Sequence, residues 1–132
     1  MKVPVLTIDK PNKNGRIYPR HVVEKELAKY HKNFIAERRA IVSRKIPETA
    51  MFNLMDAMGI VTDMTIEGDT VFAEVSFFAS DFTRTVAEKL IREGTYHLRT
   101  SGMGTLTKQE DGTYLVNDDW ELIGCFMTDK PA

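Results

Sequence analysis

Apolar and polar positions along the chain alternate with two different periods, and the points where the period changes outline the elements. Residues 3 to 8, Val-Pro-Val-Leu-Thr-Ile, predict a short strand. Pro4 fits only near its start or at a sheet edge, because it has no N–H to give a ladder. Asp9 to Arg16 is dense in turn formers, with Asn14-Gly15 the strongest local signal, and reads as a loop. From Pro19, which suits a first helical turn, Val23, Leu27, Tyr30 and Phe34 recur at helical spacing and predict an amphipathic helix to about Ala36. Its other face carries Glu24, Lys25, Lys29 and Lys32, read as a solvated surface. Ala40-Ile-Val42 has strand character, and Arg44-Lys-Ile-Pro47 then breaks every pattern. Met58, Ile60, Thr62, Met64 and Ile66 alternate with their neighbours, Glu67-Gly-Asp69 turns, and Val71, Ala73, Val75 and Phe77 alternate again, which predicts a β-hairpin. Ser80 offers an N-cap for a second helix in which Phe82, Val86 and Leu90 share a face, with Gly94 as the stop. Tyr96 to Met127 predicts two or three further strands around the Glu110-Asp-Gly112 turn, with Tyr114 and Val116 on one face. The whole predicts an α+β domain: an antiparallel sheet of about six or seven strands flanked by two helices.

At 132 residues, 42% hydrophobic and 28% charged, the chain is one domain's worth of ordinary globular composition, expected to span 1–132 without a linker. No apolar run approaches eighteen residues, and Met1-Lys2-Val3-Pro4-Val5-Leu6 lacks the pattern of a signal peptide. The expectation is a soluble intracellular protein with no membrane partner. Lys+Arg 18 against Asp+Glu 19, with a pI near 6.3, argues against a general nucleic-acid binder. The single Cys125 excludes an internal disulfide and a multi-cysteine zinc site, and reads as a small buried hydrophobe.

Chemistry-bearing residues are scarce enough to enumerate. The serines are Ser43, Ser76, Ser80 and Ser101, and the histidines are His21, His31 and His97. Asp63, Asp69, Asp111, Asp118 and Asp119 lack calcium-loop spacing and read as solvated turn acids, so neither a metal nor a cofactor is expected. Gly102-Met-Gly104 is too short for a phosphate loop and has no following Lys-Ser/Thr; it reads as a glycine-permitted bulge between strands, or as a turn whose glycines free backbone N–H groups to face a ligand. Arg38-Arg39 and Arg44-Lys45 form a local basic run, a solvated loop or a contact for an acidic protein surface. Met51, Phe52, Leu54, Met55 and Met58 form an apolar cluster without periodicity, suited to core filling or to an adaptable interface.

Three stretches in order resemble the phage prohead protease family, the capsid-maturation serine proteases whose fold is similar to that of herpesvirus assemblins. Asn12-Lys-Asn-Gly-Arg-Ile-Tyr-Pro19 before the first helix is similar to the family's Asn-x-Asn-x-Arg-hydrophobic-Tyr-Pro. Thr100-Ser-Gly-Met-Gly-Thr-Leu106 after the second helix resembles its Ser-Ser-Arg-Gly-x-Gly-Ser-Leu. Val116-Asn-Asp-Asp-Trp-Glu-Leu-Ile123, with Asp129-Lys-Pro-Ala132, resembles its last strand and close. The resemblance implies a barrel-like sheet and, for active members, a base in a Gly-x-Leu-x-His-Pro motif. Here Ala40 to Pro47 matches that motif with Ile46 where the His would stand, and an apolar side chain takes no proton. The Ser-Ser-Arg-Gly motif falls on Arg99-Thr100-Ser101-Gly102, so Ile46, Arg99, Thr100 and Ser101 are expected to be vestigial catalytic positions.

His21 and His31 are ten residues apart on the first helix, pointing about 80° apart. His97 shares a strand face with Arg99 rather than Thr100. The resemblance thus implies a catalytically inactive structural or assembly protein of a tailed-phage particle, in a capsid decoration or scaffold role. Its partners would be capsid, scaffold or other virion proteins, with a homo-oligomer left open. Its place would be the prohead or virion, and the host cytoplasm during assembly. Arg44, Lys45, Met51, Phe52 and Met55 are the interface candidates. Two alternatives stay open: an active capsid-maturation protease using Thr100 or Ser101, and a small inhibitor or host-takeover binding protein on the same fold.

Overall fold

The structure, a computed structural model, describes residues 1–46, 54–78 and 81–130, without the side chains of 81–84. Pro47, Met51, Phe52 and Ser80 lie outside the described residues, as does the side chain of Phe82. Strand β1 (Lys2–Thr7) opens the chain, followed by β2 (Arg16–Ile17), helix α1 (Arg20–Tyr30), β3 (Ile41–Ser43), the long strands β4 (Ala57–Glu67) and β5 (Thr70–Phe77), and helix α2 (Asp81–Arg92). Four strands complete it: β6 (His97–Met103), β7 (Leu106–Lys108), β8 (Tyr114–Val116) and β9 (Glu121–Thr128). Six strands form one sheet in the order β1-β5-β4-β3-β9-β6, and three form another in the order β2-β8-β7. The outer strands β1 and β6 of the large sheet also touch, so that it nearly closes into a barrel. No helix among the described residues is long and apolar enough to cross a membrane.

The sheet is mixed, which corrects the antiparallel expectation; the nearly closed sheet has six strands, within the expected six or seven. β3 runs parallel to β9, with Val42 opposite Cys125, and β2 runs parallel to β8. Alternation reports which residues face the core, and it is silent about the direction of a neighbouring strand. β9 lies between β3 and β6, and Leu122, Gly124, Cys125, Phe126 and Met127 are all buried.

Local chemistry explains most of the boundaries. In the loop after β1, the Asn12 carboxamide accepts N–H bonds from Asn14 at 2.9 Å and Arg16 at 3.0 Å, and Gly15 takes φ 75°, a region glycine enters without cost. Pro19 has no side chain to cap α1. The Asp9 carboxylate instead accepts the Arg20 N–H at 3.0 Å, a cap supplied from ten positions before Pro19. α1 buries Val23, Leu27 and Tyr30 as expected, with Val22 and Glu26 in addition, and passes directly into a π-helical turn, His31–Ile35. Phe34 stacks on Tyr30 with ring centroids 5.0 Å apart.

The β4–β5 hairpin turns at Gly68 as predicted, but its core face is not the uniform one the alternation suggested. A bulge between Val61 and Asp63 inserts one residue. Buried positions therefore run Gly59 and Val61 before the bulge and Met64 after it, because one extra residue exchanges the two faces of a strand. Among the described side chains of α2 the buried one is Ala87, with Leu90 and Ile91 packed against the core; Val86, expected on one face with Leu90, is exposed. α2 ends at Gly94, φ 75°, whose successors Thr95 and Tyr96 donate back to the Leu90 carbonyl.

Candidate functional site

β6, with Phe126 of β9, Ile46 just after β3, and Arg16, Leu106 and Val116 of the small sheet, walls a groove of about 530 Å³. Ile46, Arg99, Thr100 and Ser101, spread over more than fifty positions of sequence, all line it, together with Arg16, Tyr18, Trp120 and Phe126. Ile46 is 64% exposed on one wall. Thr100 and Ser101 pair with Cys125 and Gly124 across the β6–β9 ladder. A second depression of about 400 Å³ shares Ile46, Arg99 and Phe126 with the groove and extends it past Arg44, Lys45, Tyr96, Asp129 and Lys130.

The chemistry of this lining is one-sided. A hydroxyl nucleophile needs a neighbouring group to take its proton. The ionisable groups on the Thr100–Ser101 groove are the guanidinium groups of Arg16 and Arg99 and the Tyr18 phenol; among the described residues no histidine and no carboxylate lines it. Among the described residues neither the Thr100 nor the Ser101 hydroxyl makes a side-chain hydrogen bond. His21 Nε2 sits 2.9 Å from Asp118 on the exposed flank of α1. His31 Nε2 bonds the Met64 carbonyl at 2.7 Å, holding the π-turn to β4. His97 begins β6 opposite Thr128 and does not reach the groove.

The Gly102-Met-Gly104 turn carries the expected bulge, where the register slips between Ser101 and Gly102. Neither glycine is there for a left-handed backbone. A Cβ at Gly102 would stand 2.3 Å from Trp120 Nε1, and one at Gly104 would stand 2.6 Å from Trp120 Cα. Both lie flat against Trp120, which is buried and meets Tyr18 edge-on at 5.2 Å. Next to them the Thr105 N–H is taken by Asp119 at 3.0 Å, and this bond holds the Asp119 carboxyl below its ordinary range.

The remaining singled-out residues scatter. Asp111 accepts from Thr113 in its own turn, Asp69 pairs with Lys10, and Asp118 lies beside His21; no group of three or more metal-ligating side chains occurs among the described residues. Arg44 and Lys45 flank the extended groove, and both face Asp56, at 3.3 and 3.8 Å. Met55 is 81% exposed, and Leu54 is exposed beside it; Met58 is half-buried. Cys125 is fully buried, and burial pushes its thiol up to about 12. Sequence reasoning missed Glu26, which is buried on α1 with Oε1 accepting the Leu122 N–H of β9 at 3.1 Å. Its place one residue before Leu27 on the apolar stripe was the only signal.

A family model described as prohead core protein serine protease matches residues 5–127. The prohead core protein protease of Enterobacteria phage T4 is 28% identical over 115 residues, covering 84% of this chain and 53% of that protein. The chain therefore spans about half the length of the curated relative it matches. Among solved structures, the bacteriophage T4 capsid assembly protease superposes with a TM-score of 0.87 at 25% identity, covering 99% of this chain and 82% of that one.

Proposed function

Because the chain belongs to the prohead core protein serine protease family, we propose that it is a member without protease activity, whose work is to bind capsid, scaffold or other virion proteins during phage assembly. The observation that carries this reading is the lining of the Thr100–Ser101 groove: two arginines, a phenol, the Asn14 carboxamide, hydroxyls and apolar walls, without a general base among the described residues. Ile46 occupies the wall where the resemblance implies the proton acceptor. In this reading Ile46, Arg99, Thr100 and Ser101 are vestigial catalytic positions.

The same lining supports a binding role. Arg16 and Arg99, with Arg44, Lys45 and Lys130 in the extension, outnumber Asp129 and the neighbouring Asp56, so the trough favours an acidic segment of a partner. The prohead in the host cytoplasm is the setting this implies. Incubation with capsid precursor tests both halves. The expected result is capture of the precursor without cleavage, and capture lost on Arg99→Glu. Cleavage that disappears in Thr100→Ala or Ser101→Ala would establish the active protease instead. Failure to bind any capsid, scaffold or virion component would remove the assembly role.

A further inference from the structure

A second cleft, of about 580 Å³, lies between α1 with its π-turn and the start of β9. Tyr30, Phe34, Ile41, Leu122 and Ile123 supply most of its lining, and Met103 forms a ridge that it shares with the Thr100–Ser101 groove. The π-turn that replaces the last turn of α1 brings Asn33 and Phe34 to this cleft; π-turns inside helices recur at functional sites.

At the cleft lies a buried charge with an unmet need. Glu26 is 97% buried, being 3% exposed. Its Oε1 accepts the Leu122 N–H, while Oε2 is buried with no hydrogen-bond partner among the described residues. Lys29 Nζ lies 3.2 Å from Oε2, close enough for charge but outside hydrogen-bonding geometry, and its side chain is half in solvent. A buried acceptor left in this state is costly, and a donor that reached it would recover the loss. The charges of the cleft already balance, with Glu26 and Glu121 against Lys29 and Arg39. A cationic or anionic ligand would upset that balance, and a neutral donor would not. Arg39 is in addition held over the Phe34 ring, 5.3 Å from its centroid.

We propose that this cleft is a second binding site, taking a tyrosine or tryptophan side chain of a partner protein segment, with its ring against Ile41 and Ile123 and its O–H or N–H donated to Glu26 Oε2 in place of the half-exposed Lys29 ammonium that now lies over it. These are the two neutral side chains that join a large apolar body to a terminal donor, and the cleft offers the complement of both. The site is independent of whether the Thr100–Ser101 groove cuts, binds or does neither.

Titration of the ¹⁵N-labelled protein with N-acetyltyrosinamide and N-acetyltryptophanamide, followed through the Leu122 and Ile123 amide signals, tests the proposal without any capsid protein. N-acetylphenylalaninamide and the 1-methyl derivative of the tryptophan amide lack the side-chain donor, and both should bind at least about tenfold more weakly. Glu26→Gln keeps the acceptor for Leu122 but presents an N–H₂ where Oε2 stood, and it should erase the difference for the tryptophan pair, because the indole N–H can only donate. Asn33→Trp, at an exposed position on the cleft wall, should block all four ligands while leaving the fold unchanged. Equal binding of ligands with and without the donor, or no shift of Leu122 and Ile123 with any of them, would overturn the proposal. Because capture of capsid precursor is read separately, failure here leaves the groove reading standing.

Discussion

Replacing Gly102 by alanine adds one methyl group at the place where the structure has least room for it. The added Cβ would stand 2.3 Å from Trp120 Nε1, 2.6 Å from Cε2 and 2.7 Å from the Glu121 carbonyl oxygen. The indole is a rigid plane that is 5% exposed and braced by Tyr18, so it cannot rotate aside without opening the core between β6 and β9. The carbonyl belongs to the strand opposite, where Gly102 pairs with Leu122 and Met103 with Glu121. Overpacking of this kind costs about 1–3 kcal/mol, and a clash that includes backbone belongs at the upper end. For a chain of this size, about 3 kcal/mol corresponds to a fall in Tm of about 10 °C. Trp120 is the sole tryptophan, so its fluorescence reports the displacement directly. The expected result is a red-shifted emission together with the lowered Tm. Gly112→Ala is the control: its φ of 87° strains an alanine, but nothing lies within 4 Å of the added Cβ, so it should cost about 1 kcal/mol and leave the emission unchanged. If Gly102→Ala melts within about 2 °C of wild type with unaltered emission, this turn is not a packing device.

Other expectations follow from buried and capped groups. Tyr30 Oη is buried without a hydrogen-bond partner among the described residues, and burial holds the phenol far above its ordinary range, so Tyr30→Phe should raise stability by about 1 kcal/mol in chemical denaturation while keeping the stack on Phe34. With its thiol at about 12, Cys125 should stay unreactive toward a thiol reagent at neutral pH and react only as fast as the protein unfolds. Asp69, Asp111 and Asp119 are lowered by their partners, first by Lys10, Thr113 and Thr105 respectively. A lowered folded pKa means the unfolded chain binds protons first, so their contribution is present above the ordinary carboxylate range of about 4 and is lost as pH falls through the folded values. Melting curves from pH 6 down to 2, on the order of the carboxylate range and below it, should show this loss, with a smaller loss in Asp119→Asn.

Much of the architecture was legible because burial leaves a period in the sequence. The α1 stripe of Val23, Leu27 and Tyr30, the Glu67–Asp69 hairpin turn and the Gly94 stop all stand where local rules put them. The errors also have local causes. The β4 bulge exchanges core and solvent faces halfway along the strand, and the Asp9 cap reaches α1 from outside the helix; neither leaves a mark that a window of sequence can register. Glu26 was passed over because a carboxylate on an apolar stripe is explained only by a partner, and that partner is the Leu122 N–H, 96 positions away.

The sequence by itself determined which groups are available: three histidines, four serines and one cysteine, with Ile46 and Arg99 where the motifs it resembles have a His and a Ser. It also determined the elements, since hydrophobic period and turn chemistry act over a few residues. Only the tertiary structure decided that Ile46, Arg99, Thr100 and Ser101 share one groove, that β9 runs parallel to β3, and that the two glycines beside Ser101 serve the packing of Trp120. Those facts depend on strand direction and on distances between segments far apart in the chain, and closure of the sheet sets both.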